Sequence, residues 1–246
     1  MGSTVLAAAV VVPHPPLLVP ELTQGAAPLS EPVRRACIAA ARELAGATTR
    51  WRAVATWPTG PRRLPPESSG TFAPFGVDVR VRLSRDGDGP VEDDLPLPAL
   101  VAGWLRGQAG ADRVTVDLQP PDLSAERRRA WGADLAATAE PTGLLVLGDG
   151  STRHSDRGPE LRDDRADGFD QHVHDLFKRA DAQGLLDLDP GLAAELGARG
   201  RAAWACLGGA ILADGRPWQA RSAEMFLPFG VAYHVVVLAP VAAKGR

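Results

Sequence analysis

The sequence predicts a three-layer α/β protein in which helices cover both faces of a central, mixed and mostly parallel sheet. Short apolar or alternating runs, typical of strands, alternate along the chain with longer stretches whose apolar residues recur at helical spacing. The run at 143–147 is apolar throughout, which is typical of a strand at the centre of such a sheet. Neither an internal repeat nor a change in composition marks a boundary, so we expect one domain over residues 1–246.

The individual elements follow from these patterns. Strands are predicted at 5–12, 51–57, 76–83, 113–118, 143–147, 218–226 and 230–239. Helices are predicted at 31–44, 95–107, 124–138, 167–180, 190–196 and 201–212. Ser30 is expected to cap the first helix. The segment 58–74 lacks periodicity and is rich in Pro, Ser and Gly, so we expect a long surface loop there.

The composition is that of an ordinary globular protein. Hydrophobic residues make up 45 %, charged residues 23 %, and the net charge of −3 gives no reason to expect nucleic acid as a partner. Cys37 and Cys206 lie in alanine-rich helical patterns, which favours buried free thiols in a reducing compartment. The first apolar run ends at Pro13, too early to span a bilayer. We therefore expect a cytoplasmic protein with no membrane partner.

A histidine between prolines ends the first predicted strand, in the stretch from Val10 to Pro20. Proline fixes its own φ and biases the preceding residue away from helix, so His14 lies on a stiff, extended loop. Open α/β sheets bind their ligands at strand ends that face a crevice. His14 is therefore a candidate metal ligand or acid/base residue, and the alternative is a structural loop histidine.

A second polar loop, 148–154, follows the predicted central strand. Asp149 can accept hydrogen bonds or coordinate an ion, while Ser151, Arg153 and His154 bring further polar groups into one turn. We expect His154 to act with His14 in catalysis, and Asp149, Ser151 and Arg153 to bind substrate. The alternative is a strand-to-loop turn with a solvated rim, and the spacing of a phosphate-binding loop is absent from the sequence.

The other histidines give weaker signals. His172 and His174 are two residues apart on a predicted helix, so they point to different faces and cannot chelate one ion. His234 lies inside a strand among Val and Tyr, which is more typical of a core or edge histidine than of a ligand.

The stretch Val11-Val12-Pro13-His14-Pro15-Pro16-Leu17-Leu18-Val19-Pro20-Glu21-Leu22 resembles the opening motif of the LigB-type class III extradiol ring-cleavage dioxygenases and of the related Memo proteins. Later elements occur in the same order: a Pro-Thr-Gly loop near 58, Gly-Asp-Gly-Ser after a central strand, a helix opening with Phe169-Asp170, and Gly-Arg before a long helix. The resemblance implies a LigB-like fold and an oxidoreductase with non-haem Fe(II) bound by His14.

The sequence departs from this family at the other two metal ligands. On the alignment that the resemblance implies, the second His falls on Gly60 and the third, anionic ligand falls on Arg199. A facial triad needs two His and one carboxylate, and a guanidinium repels a metal ion. We therefore expect no ordinary Fe(II) ring cleavage; the cofactor is Fe(II) by resemblance, Zn, or none. On another alignment Asp149, His154 or Glu224 completes a rearranged site around His14.

The leading hypothesis is a divergent small-molecule enzyme of this superfamily that acts on an aromatic or carboxylate substrate. Its pocket is expected between the His14 loop and the loops at 58–74 and 148–154. His14 is the metal ligand or acid/base group, His154 the second acid/base group, and Arg153 or Arg199 the anion anchor. The alternative is a metal-free member that acts as a binding or scaffold protein. Either is compatible with a homo-oligomer formed through apolar residues near 228–229.

Overall fold

The computed structural model describes residues 6–23, 27–136, 140–158 and 160–242. Its strands are β1 (Leu6–Val12), β2 (Arg50–Thr56), β3 (Arg62–Leu64), β4 (Ser69–Thr71), β5 (Arg80–Arg82), β6 (Val91–Glu92), β7 (Arg113–Gln119), β8 (Thr142–Leu147), β9 (Trp218–Phe226) and β10 (Tyr233–Pro240). Its helices are α1 (Pro20–Thr23), α2 (Ala27–Ala47), α3 (Leu97–Ala109), α4 (Ala125–Ala136), α5 (Arg165–Arg179), α6 (Ala182–Asp187), α7 (Pro190–Glu195) and α8 (Arg201–Asp214).

Four parallel strands form the centre of a seven-stranded sheet with the order β3-β7-β2-β8-β1-β10-β9. β7, β2, β8 and β1 are parallel, whereas β3 at one edge and β10 and β9 at the other are antiparallel to their neighbours. The predicted α/β class with a mixed sheet is therefore confirmed. The carboxyl ends of the parallel strands lie at one edge of the sheet, where open α/β sheets bind ligands.

Helices cover both faces of this sheet. Successive side chains of a strand point to opposite faces. In β1, Val10 and Val12 pack in one apolar core with α2 and α3, while Ala9 and Val11 pack in a second core with α5 and α8. The predicted free thiols are confirmed, since Cys37 and Cys206 are each buried in one of these cores without a disulfide. Of the helices that the described residues form, none has the length and apolar character to cross a membrane.

The segment 58–74 is not the plain surface loop that its composition predicted. Leu64 in β3 pairs with Val116 of β7, so this stretch supplies one edge of the main sheet. β4 then joins β5 and β6 in a separate three-stranded sheet. Of the strand predicted at 76–83, only Arg80–Arg82 forms, and it belongs to this small sheet. Whether these short strands form depends on pairing with strands elsewhere in the sequence, and local composition does not predict such pairing.

The first long helix begins earlier than predicted. α2 starts at Ala27, so Ser30 lies inside it and is not its cap. The hydroxyl of Ser30 accepts a hydrogen bond from Arg34, whose Nε also donates to the carbonyl of Leu18. Arg34 therefore joins α2 to the end of the proline-rich loop that carries His14.

Candidate functional site

A cavity of about 600 Å³ lies at the carboxyl edge of the parallel strands. Its wall includes residues that follow β1, β2 and β7 and the segment that joins α7 to α8. Apolar side chains form much of this wall, namely Trp57, Pro58, Leu97, Pro98 and Pro121. A mostly apolar cleft with a few convergent polar groups is the usual form of a small-molecule site.

His14 is the imidazole in this wall, and only 8 % of its surface is exposed. Its backbone N–H donates a hydrogen bond of 2.9 Å to Oδ1 of Asp149. Nδ1 of the ring lies 3.7 Å from the same oxygen, which is an ion-pair distance but not a hydrogen bond. Nδ1 of His14 and Oγ1 of Thr56, another wall residue, are buried and have no hydrogen-bond partner among the described residues. Such atoms are uncommon in folded proteins.

Backbone hydrogen bonds hold the loop after β8 against both neighbouring walls. Gly148 donates its N–H to the carbonyl of Val12 at 3.0 Å, and the carbonyl of Asp149 accepts from Gly200 at 2.8 Å. A Cβ added at Gly148 would lie 2.5 Å from the Cα of Gly200, so only glycine fits there. Asp149 thereby connects the His14 loop to the start of α8.

The segment between α7 and α8 gives the wall Arg199, and the first residue of α8 gives it Arg201. Arg199 is exposed, while Arg201 is 93 % buried, with 7 % of its surface exposed. Nε of Arg201 donates to the carbonyl of Leu188 at 3.0 Å. Burial lowers the pKa of the Arg201 guanidinium, and the charge of nearby Arg128 lowers it further.

Arg153 contacts the cavity through another residue. Its guanidinium forms a 2.9 Å ion pair with Glu160, which lines the cavity. The charge of Arg153 is therefore already paired with a carboxylate. Arg199 and Arg201 differ from it, because the described residues form no ion pair with either of them within 4.0 Å.

His154 lies outside the cavity wall, in a buried polar cluster around Asp170. Its Nε2 is 2.7 Å from Oδ2 of Asp170, and its Nδ1 is 2.8 Å from Oδ1 of Asp167. Ionised carboxylates only accept, so these two contacts suit a protonated ring that donates from both nitrogens. The hydrogen bond to Asp170 raises the pKa of His154; burial opposes this rise and the bond to Asp167 adds to it.

Asp170 is fully buried and holds the 148–154 loop in place. It accepts from the backbone N–H of Ser151 at 3.0 Å and from Nε2 of His234 at 3.1 Å, besides His154. Burial raises the pKa of Asp170, but the hydrogen bonds from His154 and His234 outweigh it, so the net pKa lies below the ordinary value. The hydroxyl of Ser151 is also buried and donates to the carbonyl of Leu196 at 2.8 Å.

The remaining histidines lie around the same cluster. His234 is fully buried and hydrogen-bonded, as its place in a strand predicted. Its ring packs against Trp204 and Phe177 and stacks on His174, with ring centroids 5.9 Å apart. His172 is exposed on the other side of α5.

The residues at the cavity do not fit the Fe(II) centre that the resemblance implies. Within the described ranges, no group of three or more His, Cys, Asp and Glu side chains is placed to hold a metal ion. A Cβ added at Gly60 would lie 3.0 Å from the backbone nitrogen of Pro120, so a histidine there would require the backbone to shift. Arg199 lies in the wall as a cation, and Glu224 is exposed on the edge strand β9, outside the wall. Among the described residues the donors at this cavity are the imidazole of His14, the carboxylate of Asp149 beside it, and Glu160, which is paired with Arg153.

Comparison with known proteins gives a likeness of fold. Neither the family models nor the curated proteins that were searched match the chain. Among solved structures, the uncharacterized protein JW3007 from Escherichia coli K12 is similar with a TM-score of 0.51 and 13 % identity. The match covers 94 % of this chain and 99 % of that one. At this identity the likeness extends to the fold and not to the chemistry of the site.

The structure thus brings some of the predicted site residues together and leaves others apart. His14 and Arg199 line one cavity, with Asp149 bound to the His14 backbone and Arg153 joined through Glu160. Ser151 and His154 belong instead to the cluster around Asp170.

Sequence reasoning missed Thr56, Arg201 and Asp170. Arg201 carries a signal that could have been used, because an arginine at the first position of a helix opposes the helix dipole. Asp170 is a carboxylate at a core-facing position of an amphipathic helix, beside Phe169 and Val173, which is also unusual.

Proposed function

We propose that this chain is a small-molecule enzyme, related to the extradiol dioxygenase superfamily by its opening motif, that moves a proton on an aromatic or carboxylate substrate. One observation carries the proposal. His14, almost fully buried in the wall of a cavity at the carboxyl edge of parallel strands, has a ring nitrogen without a hydrogen-bond partner among the described residues.

His14 is the acid/base group in this proposal. An imidazole can take up and return a proton near neutral pH, and general acid/base catalysis contributes about 10²–10⁴-fold to a rate. Oδ1 of Asp149 lies 3.7 Å from Nδ1 of His14, so a carboxylate charge acts on the ring during proton transfer. The stiff loop and the Asp149 hydrogen bond to the His14 backbone fix the ring relative to the cavity.

The rest of the cavity supplies binding. Trp57, Leu97 and Pro121 offer apolar surface for a planar body, and Arg199 adds a positive charge at the exposed part of the wall. Because the donor set around His14 does not suit a facial triad, no step of the proposed reaction uses a metal. The participation of His154 in proton transfer remains a prediction, and its imidazolium is proposed to hold the loop through Asp170.

Phenylpyruvate is a suitable probe, since it has an aromatic ring, a carboxylate and an enolisable CH₂ group. In D₂O the native protein is expected to accelerate deuterium exchange at this carbon, measured by ¹H NMR. His14→Gln should lower the protein-dependent rate by about 10²-fold or more, and the exposed His172→Gln should leave it unchanged. Acceleration that persists in His14→Gln would contradict the role of His14.

The second candidate function is a metal-free binding or scaffold protein, favoured by the replacement of the expected ligands at Gly60 and Arg199. Binding of phenylpyruvate without accelerated exchange in the native protein would favour it. A rearranged metal site is distinguished from both metal-free functions by metal analysis of protein that is purified anaerobically in the presence of Fe(II). Stoichiometric metal that is lost in His14→Ala would show such a site.

We also propose a cytoplasmic location, consistent with the two buried free thiols. Association of two copies through the surface near 228–229 is proposed on the exposure of Leu227, of which 48 % is accessible.

A further inference from the structure

The wall of the cavity contains a buried cation for which the described residues supply no carboxylate partner. Arg201 begins α8 and makes a single hydrogen bond within the described residues, from Nε to the carbonyl of Leu188. No ion pair within 4.0 Å reaches its guanidinium in that part of the chain, although 93 % of the residue is buried, its exposure being 7 %. A buried charge without a partner is costly, so such groups are normally paired.

The surroundings of Arg201 increase this cost. Arg201 lies at the N-terminus of a fourteen-residue helix, where the helix dipole disfavours a positive charge. Arg128 is a second buried guanidinium close enough for its charge to act on Arg201, and Nε of Arg128 is also without a partner in the described residues. The opposing charge of Asp189 acts on Arg201, but Asp189 caps α7 by accepting from the backbone N–H of Leu192 at 2.8 Å.

We propose that Arg201 and the N-terminus of α8 form an anion subsite that binds the carboxylate of the ligand, with Arg199 as a second cation at the exposed part of the wall. The carboxylate bound here is the charged group of the proposed substrate, and this subsite rests on the proposed function only in that the substrate occupies the same cavity. His14 lines the same cavity, so its imidazole belongs to another part of the wall around the bound molecule.

The geometry of Arg201 favours a carboxylate. Because Nε is used by Leu188, the two Nη groups remain to donate, and they match the two oxygens of a planar carboxylate. The first backbone N–H groups of a helix are additional donors to an anion. The sequence has no glycine-rich phosphate loop, which makes a phosphate the weaker candidate.

Benzoate and benzamide test this assignment, because they share a ring and a planar head group and differ in charge. By titration calorimetry at low salt, the native protein is expected to bind benzoate at least about 10-fold tighter than benzamide. Arg201→Gln should weaken benzoate binding by about 30-fold or more, as expected when one partner of a desolvated charge pair is removed. Its affinity for benzamide should not change.

Two further variants keep the test decisive. Arg201→Lys retains the charge and loses the paired Nη donors, so its benzoate affinity should fall between those of the native protein and Arg201→Gln. Arg106→Gln is the matched control, since Arg106 also donates to backbone carbonyls, at Arg82 and Ala111, but does not line the cavity. It should bind benzoate as the native protein does. If Arg201→Gln does not fold, the native comparison and Arg201→Lys decide.

Equal affinity of the native protein for benzoate and benzamide would overturn the proposal, as would full benzoate affinity in a folded Arg201→Gln or in Arg201→Lys. Inorganic phosphate that binds more tightly than benzoate, and is lost in Arg201→Gln, would overturn the choice of a carboxylate. The proposed function fails separately. If His14→Gln loses deuterium exchange but keeps its benzoate affinity, the proton-transfer function and the Arg201 subsite are both supported. If the native protein binds benzoate through Arg201 but does not accelerate exchange, the subsite stands and the proposed enzyme activity is wrong.

Discussion

Replacing Asp170 by Asn keeps the shape of the side chain and removes one of its two acceptor oxygens. The carboxylate accepts from His154 Nε2 at 2.7 Å, the Ser151 N–H at 3.0 Å and His234 Nε2 at 3.1 Å. An amide is neutral, has one acceptor oxygen and only donates from its nitrogen, so all three donors lose a charged acceptor and at least one is left facing an NH₂ group. Asp170→Asn therefore tests whether this cluster holds the 148–154 loop.

The expected loss follows from the number of bonds. A hydrogen bond to a charged group contributes about 1.5–3 kcal/mol, so the free energy of unfolding should fall by about that amount. In a chain of this length 1 kcal/mol corresponds to about 2–4 °C in Tm, so Asp170→Asn should melt roughly 3–12 °C lower. Asp167→Asn is the matched control. Asp167 bonds the other nitrogen of His154, but its side chain is 64 % exposed, and the loss should stay below about 1 kcal/mol.

The effect should depend on pH. The pKa of Asp170 lies below its ordinary 3.8, so the stability it adds is fully present above 3.8 and is lost as the pH falls through the lowered value. The pKa of His154 lies above its ordinary 6.5, so its contribution is fully present below 6.5 and is lost as the pH rises through the raised value. The difference between the native protein and Asp170→Asn should therefore be largest between about pH 4.5 and 6.5.

Urea denaturation at pH 5.5 and at pH 8.5 measures this difference. A loss below 1 kcal/mol at pH 5.5, equal to that of Asp167→Asn, would refute the role of Asp170. A loss that grows as the pH rises would refute the assignment of His154 as its charged partner.

Two further outcomes concern the packing of the chain. Gly132→Ala should lower the free energy of unfolding by about 1–3 kcal/mol, because its Cβ would lie 2.4 Å from the carbonyl carbon of Gly209 where α4 meets α8. Gly168→Ala is the matched control, since a Cβ on that helical residue would have no atom within 4 Å. It should raise the free energy of unfolding by about 0.5–1 kcal/mol in the same urea denaturation. Burial raises the pKa of the Cys37 thiol and raises that of Cys206 to about 12, so an aromatic disulfide reagent at neutral pH should modify neither thiol in the native protein and both after unfolding. Rapid modification of the native protein would contradict the burial of the thiols.

The main sheet was predictable because its strands carry their own signal. The apolar runs around β1 and β8 must be buried, and strand alternation assigns their side chains to two cores, as the structure has them. By contrast, β3 and β4 were missed because short strands in a Pro-rich segment form only where distant partners supply the hydrogen bonds.

In the candidate site, too, some features could be predicted from the sequence and others only from the tertiary structure. The sequence by itself placed His14 on a rigid loop at a strand end, since prolines act through local sterics. Only the tertiary structure decided that Arg201 and Thr56 share its cavity, and that His154 donates to Asp170 and Asp167 outside the cavity wall. Covalent geometry and local apolar pattern act over a few residues and can be read along the chain. Burial of a charge and the partner that satisfies it depend on segments brought together by the sheet, and these are defined only in the folded protein.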